Sequence, residues 1–444
     1  MASSIFLTCA SALLVFVVMS SGVAAERKNW VLLIAGSASY GNYRHQADIC
    51  HAYQIAHKNG IPDEQIVVMM YDDIANNEDN PVPGNIINRP GGPNVYPGVP
   101  KDYIGDDVNA KTFLAVLQGD REKVKNLLGR EGKVIASGPD DYVFVYFADH
   151  GGTGILGMPS PPYLRARPLN AALQKMNAAK KFSKLVFYVE ACESGSIFEN
   201  ILPKDINVYV TTAANADESS YGCYCPPYDD NRGSCLGDAY SVNWMEDTDA
   251  ADLHTETLEQ QYQIVKRKTN MSHVMQFGDT SFTNLPLEQF LANGKVFPNQ
   301  INEQRAFVPK KNVPTDMAGI LSLQSLVVSP HPRHVARRTE IKKNLQAQLW
   351  MKAQTTEIFT NIAKRVYTGK DMFFTLDRHT EVRNWDCYEN ATDRLFDLCP
   401  RIAPYRNDFV LRKMNVLANL CNSQTGKEVL SAIEHVVVTS PLCY

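Results

Sequence analysis

Two apolar runs in the middle of the chain show no alternation of polar and apolar residues. They are YVFVYFA within Asp140–Gly152 and LVFYV within Lys184–Gly195. Unbroken runs of this kind are typical of strands buried on both faces, as in parallel sheets. Between them, Leu169, Leu173 and Met176 recur at the spacing of one helix face. The pattern predicts a strand–helix–strand crossover unit whose two strands are parallel neighbours.

Similar patterns continue on both sides of this unit. They predict strands at Trp30–Ala35, Gln65–Met70 and Val208–Ala213, and helices at Ala47–His57, Thr112–Leu128 and Leu169–Phe182. The segment 76–104 is rich in Pro, Gly and Asn, so we expect a long loop there, beside the site rather than in the core. The fold class predicted for residues 26–284 is therefore α/β, with a mostly parallel sheet flanked by helices.

The pattern changes beyond residue 284. Residues 285–340 are polar and weakly periodic and contain six prolines, a composition typical of a linker. Helical spacing returns in Ile341–Val366 and Phe409–Leu420, so residues 341–444 are predicted to form a small all-α domain.

Charge is divided unevenly along the chain. Residues 301–444 hold 20 Lys and Arg against 14 Asp and Glu, whereas the rest of the chain holds 24 against 34. An acidic body and a basic C-terminal part are expected to attract each other. The net charge of −4 argues against a nucleic-acid binder.

The first 25 residues are interpreted as a signal peptide. Ile5–Met19 is an apolar core, and small residues at Val23–Ala25 offer a cleavage point. No later stretch approaches 18 apolar residues, so we expect no membrane span. Passage through the secretory pathway makes Asn270 and Asn390, each in an N-x-S/T sequon, usable glycosylation acceptors.

The ten cysteines divide by position. Cys9 leaves with the signal peptide, while Cys225 and Cys235 bracket a turn-rich loop that a disulfide would staple. Four more lie near the C-terminus, at Cys387, Cys399, Cys421 and Cys443. Four cysteines allow three pairings, and without a C-x-x-C spacing two disulfides are expected there rather than a metal site. Cys50, Cys192 and Cys223 remain, and an unpaired cysteine in a secreted protein is either buried or reactive.

Candidate chemistry lies at the ends of the two apolar runs. His150 follows one run and Cys192 the other, and the carboxyl ends of parallel strands meet at one edge of a sheet. Alone, such a Cys is usually a buried hydrophobe and such a His is usually solvated. Together they fit nucleophilic catalysis, since an imidazole draws the proton from a thiol. The backbone N–H groups of Gly151 and Cys192 would receive an oxyanion, so acyl transfer through a thioester is predicted.

Longer motifs surround this pair, namely Asn42–Asp48, Met69–Asp73, Asp149–Gly151, Glu190–Gly195 and Leu236–Asp247. With these motifs the chain resembles the legumain family, asparaginyl endopeptidases that are cysteine proteases with a caspase-like fold. The resemblance covers nearly all of residues 28–283 and, more loosely, the C-terminal domain. It implies a caspase-like sheet and a C-terminal inhibitory prodomain braced by disulfides.

The resemblance also implies residue roles. Cys192 would be the nucleophile and His150 the acid and base, with Asn42 bonding near the imidazole. The specificity pocket would use Arg44, His45, Glu190, Ser219 and Asp238. In that pocket Arg44 would donate to the carbonyl of a substrate Asn, while Asp238 and Glu190 would accept from its amide. Such a pocket rejects apolar side chains and accepts a protonated Asp, so cleavage after Asp is expected only in acid.

Some of these residues have other interpretations. Arg44 and Asp48 fit a local pair at a helix start equally well, and Asp238 fits a turn. Asp149 is a candidate for succinimide formation on the resemblance alone. The scheme needs no cofactor and no metal ion.

The resemblance further implies a zymogen. Acid would weaken the attraction between the acidic body and the basic prodomain, and the linker would then be cut by the enzyme itself. Candidate cleavage points are Asn293, Asn299, Asn302 and Asn312. Peptide ligation is a possible side activity, and a lysosome- or vacuole-like compartment, or secretion, is the expected location.

Two rival functions share parts of this pattern. The transamidase that attaches lipid anchors resembles the core, but it would be expected to carry a membrane segment near its C-terminus. A catalytically silent binding protein on a caspase-like scaffold is the alternative from another class. Turnover of a short peptide ending in Asn, with and without a thiol alkylator, separates the silent protein from the enzyme.

Overall fold

The computed structural model describes residues 27–293, 310–367, 370–404 and 407–443. The predicted signal peptide and two of the candidate cleavage points, Asn299 and Asn302, lie outside these ranges. Among the described residues no helix is long and apolar enough to cross a membrane.

The strands, in chain order, are β1 (Asn29–Ala35), β2 (Ile66–Met69), β3 (Tyr142–Ala148), β4 (Gly151–Gly152), β5 (Ile155–Leu156), β6 (Leu164–Arg165), β7 (Lys184–Glu190), β8 (Val208–Thr212), β9 (Tyr221–Cys223), β10 (Gly237–Asp238), β11 (Met275–Gly278) and β12 (Val313–Pro314). The helices are α1 (Tyr43–Lys58), α2 (Ala110–Leu117), α3 (Arg121–Leu128), α4 (Ala166–Ala178), α5 (Ala239–Ala250), α6 (Leu258–Lys268), α7 (Glu288–Leu291), α8 (Thr315–Val328), α9 (Pro332–Val366), α10 (Lys370–Asp377), α11 (Trp385–Leu398), α12 (Met414–Ser423) and α13 (Gly426–Val437).

A six-stranded sheet in the order β11-β8-β7-β3-β1-β2 forms the centre of the molecule. Neighbouring strands run parallel except for β11, which pairs antiparallel with β8. The predicted crossover is confirmed, because β3 and β7 pair in parallel from Tyr142 beside Lys184 to Ala148 beside Glu190. The predicted class, a mostly parallel sheet flanked by helices with a helical, disulfide-braced C-terminal part, is also confirmed.

Both faces of this sheet are buried, which explains the unbroken apolar runs. From β1, Val31 and Leu33 join one core that includes α1 and Trp244 of α5. Leu32 and Ile34 point to the opposite face, which packs against α2, α3 and α4. The sheet is thus fixed from both sides, and the ends of β3 and β7 are held at constant positions.

The predicted helix Thr112–Leu128 is divided in two. Gly119 lies between α2 and α3 with a φ of +69°, and a Cβ there would meet the carbonyl oxygen of Ile135 at 2.4 Å. Asp120 then begins α3, since its side chain accepts from the N–H of Lys123 at 2.9 Å. The apolar spacing of the two helices is continuous, but a left-handed glycine and a new N-cap interrupt the backbone.

The polar segment predicted as a linker contains ordered elements. Its residues 310–340 form β12, all of α8 and the first turns of α9. Its prolines mark the element ends, with Pro314 before α8 and Pro332 at the first position of α9. Apolar side chains of α8 pack on the core at one face of the central sheet, including Leu326, which is 1% exposed. Tertiary packing therefore overrides a composition that indicated irregular chain.

The C-terminal unit is a bundle formed by the end of α9 together with α10 to α13. Of the three possible pairings, the structure has Cys387–Cys421 and Cys399–Cys443. The predicted helix Phe409–Leu420 begins as a 3₁₀ turn over Asp408–Lys413 before α12. This turn packs against β4, since a Cβ on Gly152 would meet the carbonyl oxygen of Leu411 at 2.3 Å.

The remaining cysteines and both sequons are also placed. Cys225 and Cys235 form the predicted staple, whereas Cys50, Cys192 and Cys223 are free and buried. Asn270 and Asn390 are both exposed, as a glycan acceptor must be. Their glycosylation stays a prediction.

Candidate active site

The thiol of Cys192 lies two residues beyond β7, at the carboxyl edge of the sheet. Its side chain is almost fully buried, with 1% of the residue exposed. The backbone N–H of Ser220 donates to Sγ at 3.3 Å, and the Ser220 hydroxyl lies 3.9 Å from it. Burial raises the pKa of the Cys192 thiol, so the closed molecule holds it in the protonated form.

His150 lies two residues beyond β3, beside the Cys192 turn. The sheet register brings the two together, since Ala148 pairs with Glu190 and the N–H of Asp149 donates to the carbonyl of Glu190 at 3.0 Å. The two chain segments also approach each other closely past the strand ends. A Cβ added to Gly151 would lie only 2.1 Å from the carbonyl oxygen of Cys192. Only glycine fits there, and the two chain segments touch.

The imidazole of His150 is oriented by Asn42. Asn42 Oδ1 accepts from His150 Nε2 at 2.8 Å, and its Nδ2 donates to the carbonyl of Ala38 at 3.1 Å. Because the amide nitrogen is bonded on the other side, the amide oxygen is directed at the ring. Arg44 Nη2 lies 3.5 Å from the same Nε2.

Arg44 and Asp238 form a fully buried ion pair beside this histidine. Nε of Arg44 donates to Asp238 Oδ1 at 2.9 Å, and both residues are 0% exposed. The suggested helix-start pair of Arg44 with Asp48 is replaced by this contact, because Asp48 accepts from Asn88 Nδ2 and from the N–H of Asp238. A buried charge pair of this kind is costly to desolvate.

His45 and Glu190 complete the buried part of the predicted pocket. His45 bonds to Ser37 through Nδ1 at 2.6 Å and lies 3.5 Å from Asp238; burial and the charge of Arg44 lower the pKa of its imidazole well below the usual value. Glu190 Oε2 accepts from the N–H and hydroxyl of Ser241 at 3.1 and 2.9 Å. Burial and the nearby charge of Asp238 raise the pKa of Glu190 to about 8.

Ser219 and Asp149, also predicted from the sequence, lie at the edge of this group of buried residues. Ser219 is half-buried in the loop before Ser220. Asp149 is 2% exposed, and burial raises the pKa of its carboxyl well above the usual range. A succinimide at Asp149 stays a prediction.

Residues 29–299 match the model of the Peptidase C13 family. The chain belongs to the peptidase C13 family.

Relatives with curated names cover most of this C13 peptidase. Bovine legumain is 46% identical over 402 residues, which span 89% of each chain, and human legumain is 44% identical over 400 residues, which span 89% of each chain. The vacuolar-processing enzyme of Vicia sativa is 40% identical over 433 residues, 91% of this chain and 85% of that one. Among solved structures, caspase-1 from Spodoptera frugiperda matches with a TM-score of 0.35 and 10% identity, over 61% of this chain and 92% of that one. This C13 peptidase is therefore a legumain-like cysteine endopeptidase with peptide or protein substrates.

The C-terminal unit of this C13 peptidase reaches into the catalytic site. Asp408 Oδ2 lies 3.3 Å from His150 Nε2 and accepts from Asn42 Nδ2 at 3.2 Å. Arg412 forms an ion pair with Glu193, the residue after Cys192, and His379 Nδ1 lies 3.8 Å from the same carboxylate. Sequence reasoning missed these contacts, because no local pattern connects segments so far apart in the chain.

The segment before α8 covers the other side of the thiol. Strand β12 pairs antiparallel with β9, with Val313 opposite Gly222 and Pro314 opposite Tyr221. The N–H of Thr315 then donates to the carbonyl of Ser220 at 3.1 Å, and Ser220 is the residue whose N–H and hydroxyl contact the thiol of Cys192. Two segments of the same chain, the turn that carries Asp408 and Arg412 and the segment with β12, therefore lie against this site.

One group of possible metal ligands occurs within the described ranges. Donor atoms of His45, Asp149 and His150 lie within 4.8 Å of one another. The guanidinium of Arg44 lies 3.5 Å from His150 Nε2, so a cation bound to that nitrogen would face a like charge. The group fits a hydrogen-bonded catalytic cluster better than a metal centre.

Proposed function

We propose that this C13 peptidase is the zymogen of an asparaginyl endopeptidase. It would act in an acidic lysosome- or vacuole-like compartment or after secretion, and cleave peptides after Asn, and after Asp in acid. The observation that carries the proposal is the buried Arg44–Asp238 pair beside Glu190 and His150. A carboxamide offers one acceptor and two N–H donors, so a pocket with charged donors and acceptors matches it. An apolar side chain would leave those groups unpaired.

The proposed mechanism uses the two strand-end residues. Cys192 gives its proton to His150 and attacks the backbone carbonyl carbon of the substrate Asn, while the N–H groups of Gly151 and Cys192 face the oxyanion. His150 protonates the leaving amine, which departs and leaves a thioester. It then takes a proton from the water that hydrolyses the thioester and restores the thiol. An amine that reacts before water would be ligated instead.

A pair of fluorogenic peptides that differ only in Asn or Asp before the leaving group tests the specificity. At pH 5.5 the acid-treated enzyme is expected to turn over the Asn peptide, and an alkylator should stop it. A side-chain Asp has a pKa of about 3.9, so its protonated fraction falls about tenfold per pH unit above that value. The ratio of Asp to Asn cleavage should therefore rise about tenfold from pH 6 to pH 5. A constant ratio would count against this pocket, and no turnover of either peptide would favour a silent binding protein.

The closed cleft supports the zymogen part of the proposal. Asp408 and Arg412 occupy the surroundings of His150 and Glu193, and β12 lies along β9. In acid the full chain is expected to cut itself and lose roughly a third of its length. Asn293, Asn299, Asn302 and Asn312 all stay candidate cut sites. Of the two within the described residues, Asn293 donates its N–H to the carbonyl of Asn59 at 2.9 Å, and Asn312 lies half-buried next to β12.

Asp408 sets one limit on when the cleft opens. Burial would raise the pKa of its carboxyl, but the charge of His150 and bonds from His150 and Asn42 outweigh burial and lower it. Because the pKa of Asp408 is lowered, its contact with His150 stabilises the closed form near neutral pH. That stabilisation is lost only as the pH falls through the lowered pKa of Asp408. We therefore expect Asp408→Asn to shift acid self-processing to higher pH by about half a unit or more.

The shift can be measured as the pH at which half of the full chain is processed in one hour. Asp397→Asn is the matched control, because Asp397 is an exposed carboxylate of the same unit. Equal midpoints for Asp408→Asn and the wild type would show that this contact does not hold the cleft closed.

A further inference from the structure

The motif at residues 69–73 begins at the last residue of β2 and has no part in the mechanism described so far. Asp72 in this motif has a φ of +64°, in the left-handed region that Asp adopts more readily than most residues. Its Oδ1 accepts from the hydroxyl of Tyr96 at 2.9 Å, which holds the turn. The next residue, Asp73, is thereby presented to the loop that follows β1.

Asp73 connects two segments of the candidate active site through its carboxylate. Its Oδ2 accepts from the backbone N–H of Ser39 at 2.6 Å, in the loop after β1. Its Oδ1 accepts from Nε2 of Gln46 at 2.7 Å, in the first turn of α1. These two segments flank Asn42, the residue that orients the imidazole of His150.

Ser39 has a strained backbone. Its φ is +76° and its ψ is 151°, a combination found essentially only for glycine. A residue with a Cβ stays in this region only where the surrounding contacts fix it. The side chain of Ser39 is exposed, so its own burial does not supply that restraint. The restraint comes from the N–H bond to Asp73 and from the Ser39 carbonyl, which accepts from the N–H of Asn42 at 3.0 Å.

The Ser39 N–H and the Ala38 carbonyl belong to one planar peptide group. In a trans peptide these two groups point in opposite directions. Because Asp73 fixes the N–H of Ser39, it also fixes the direction of the Ala38 carbonyl. Asn42 Nδ2 donates to that carbonyl at 3.1 Å, and this bond directs Asn42 Oδ1 at His150 Nε2, 2.8 Å away.

We propose that Asp73 is a positioning residue for the catalytic imidazole. It fixes the peptide plane between Ala38 and Ser39, and this plane sets the amide of Asn42 that orients His150. Asp73 touches neither substrate nor thiol in this scheme, so it acts only through these neighbours. The inference rests on the role of His150 in the proposed function.

Loss of the C-terminal unit would make the enzyme more dependent on this plane. In the intact chain Asn42 Nδ2 donates to the Ala38 carbonyl and to Oδ2 of Asp408. Once Asp408 leaves with the C-terminal unit, the Ala38 carbonyl is the one of these two acceptors that remains. We therefore test Asp73 in the acid-processed enzyme.

Asp73→Ala should lower kcat for the Asn peptide about 30-fold at pH 5.5, because Ser39 relaxes and the imidazole loses its fixed orientation. KM should stay within about twofold, because the bonds of Asp73 go to Ser39 and Gln46 rather than to the proposed specificity pocket. Each variant is kept in acid until the full chain is gone, and alkylation of Cys192 gives the concentration of folded enzyme.

Asp73→Asn is the conservative variant. The Asn oxygen can accept from the N–H of Ser39 as the carboxylate does. Its nitrogen can donate to Gln46 Oε1, which is buried and has no hydrogen-bond partner within the described residues, once the Gln46 amide turns over. Asp73→Asn should therefore keep kcat within about threefold of the wild type. A loss as large as that of Asp73→Ala would overturn the proposal.

Ser39→Gly provides a test that a general packing role would not pass. Glycine adopts the observed φ and ψ without strain, so the peptide plane then depends less on Asp73. In the Ser39→Gly background, Asp73→Ala should lower kcat by about threefold instead of about 30-fold. The same 30-fold loss in both backgrounds would show that Asp73 does not act through the backbone of Ser39.

Asp63→Ala is the matched control. The Asp63 carboxylate also bonds two side chains of α1, Tyr53 and His57, but near the opposite end of the helix. Its kcat should stay within about twofold of the wild type. Equal kcat values for Asp73→Ala and Asp63→Ala would overturn the positioning role, as would a rise in KM as large as the fall in kcat. Wild-type kcat in His150→Ala would instead refute the proposed mechanism itself.

Discussion

Replacing Cys192 with Ala is expected to lower peptide hydrolysis by about four orders of magnitude or more, because no other group could form the thioester. The same variant should remain full-length in acid, since self-processing uses the same thiol. Rates are measured with the Asn peptide at pH 5.5, and processing by gel electrophoresis over one day.

Cys50→Ala is the matched control for this substitution. Cys50 is also a free, fully buried cysteine, and burial raises the pKa of its thiol to about 12, so it is inert. The Cys50→Ala variant should keep peptide hydrolysis, and the alkylation of Cys192, near the wild-type level. Undiminished processing by Cys192→Ala would exclude the autocatalytic zymogen, and undiminished hydrolysis would exclude Cys192 as nucleophile.

Arg412→Ala should make the uncut chain active at neutral pH. Glu193 is 0% exposed, and the Arg412 side chain above it is 25% exposed. Removal of one partner of a fully buried ion pair costs about 3–5 kcal/mol because the other charge is left unpaired, so we expect about 3 kcal/mol for this partly exposed pair. His379 is a poor replacement, since burial lowers the pKa of its imidazole. Opening of the cleft should become about 100-fold more frequent or greater.

The measurement is the rate at which Cys192 reacts with an alkylator in the full chain at pH 7, together with hydrolysis of the Asn peptide. Arg401→Ala is the control, because Arg401 is an exposed cation in the same C-terminal unit. If Arg412→Ala reacts no faster than Arg401→Ala, the Arg412–Glu193 contact does not keep the site closed.

The local features of this protein were predictable because they follow from short-range patterns. The strands β3 and β7 appear in the sequence as apolar runs, and their parallel pairing places His150 and Cys192 at one edge. The break at Gly119 was missed because apolar spacing continues through it. The ordered linker was missed because α8 is stabilised by packing on the catalytic core, which composition does not report.

Contacts between distant segments were not predictable. Asn42 and Asp408 are 366 residues apart in the chain, and nothing around Asp408 marks it as a partner of the active site. Overall charge indicated that the two parts attract each other, but not which residues meet. The raised pKa of Glu190 was equally hidden, because it depends on burial and on the nearby charge of Asp238, which only the fold brings together.

The pairing of β12 with β9 has a consequence for how activity appears after a cut. While the chain is intact, Val313 and Pro314 are tethered next to the edge of β9, at an effective concentration on the order of millimolar. A free peptide at a lower concentration therefore competes poorly for the backbone groups of β9. Once the segment is severed it becomes an ordinary diffusible competitor. Turnover per enzyme molecule should then increase on dilution or dialysis of the freshly cut protein, a delay that peptide-bond scission alone would not produce.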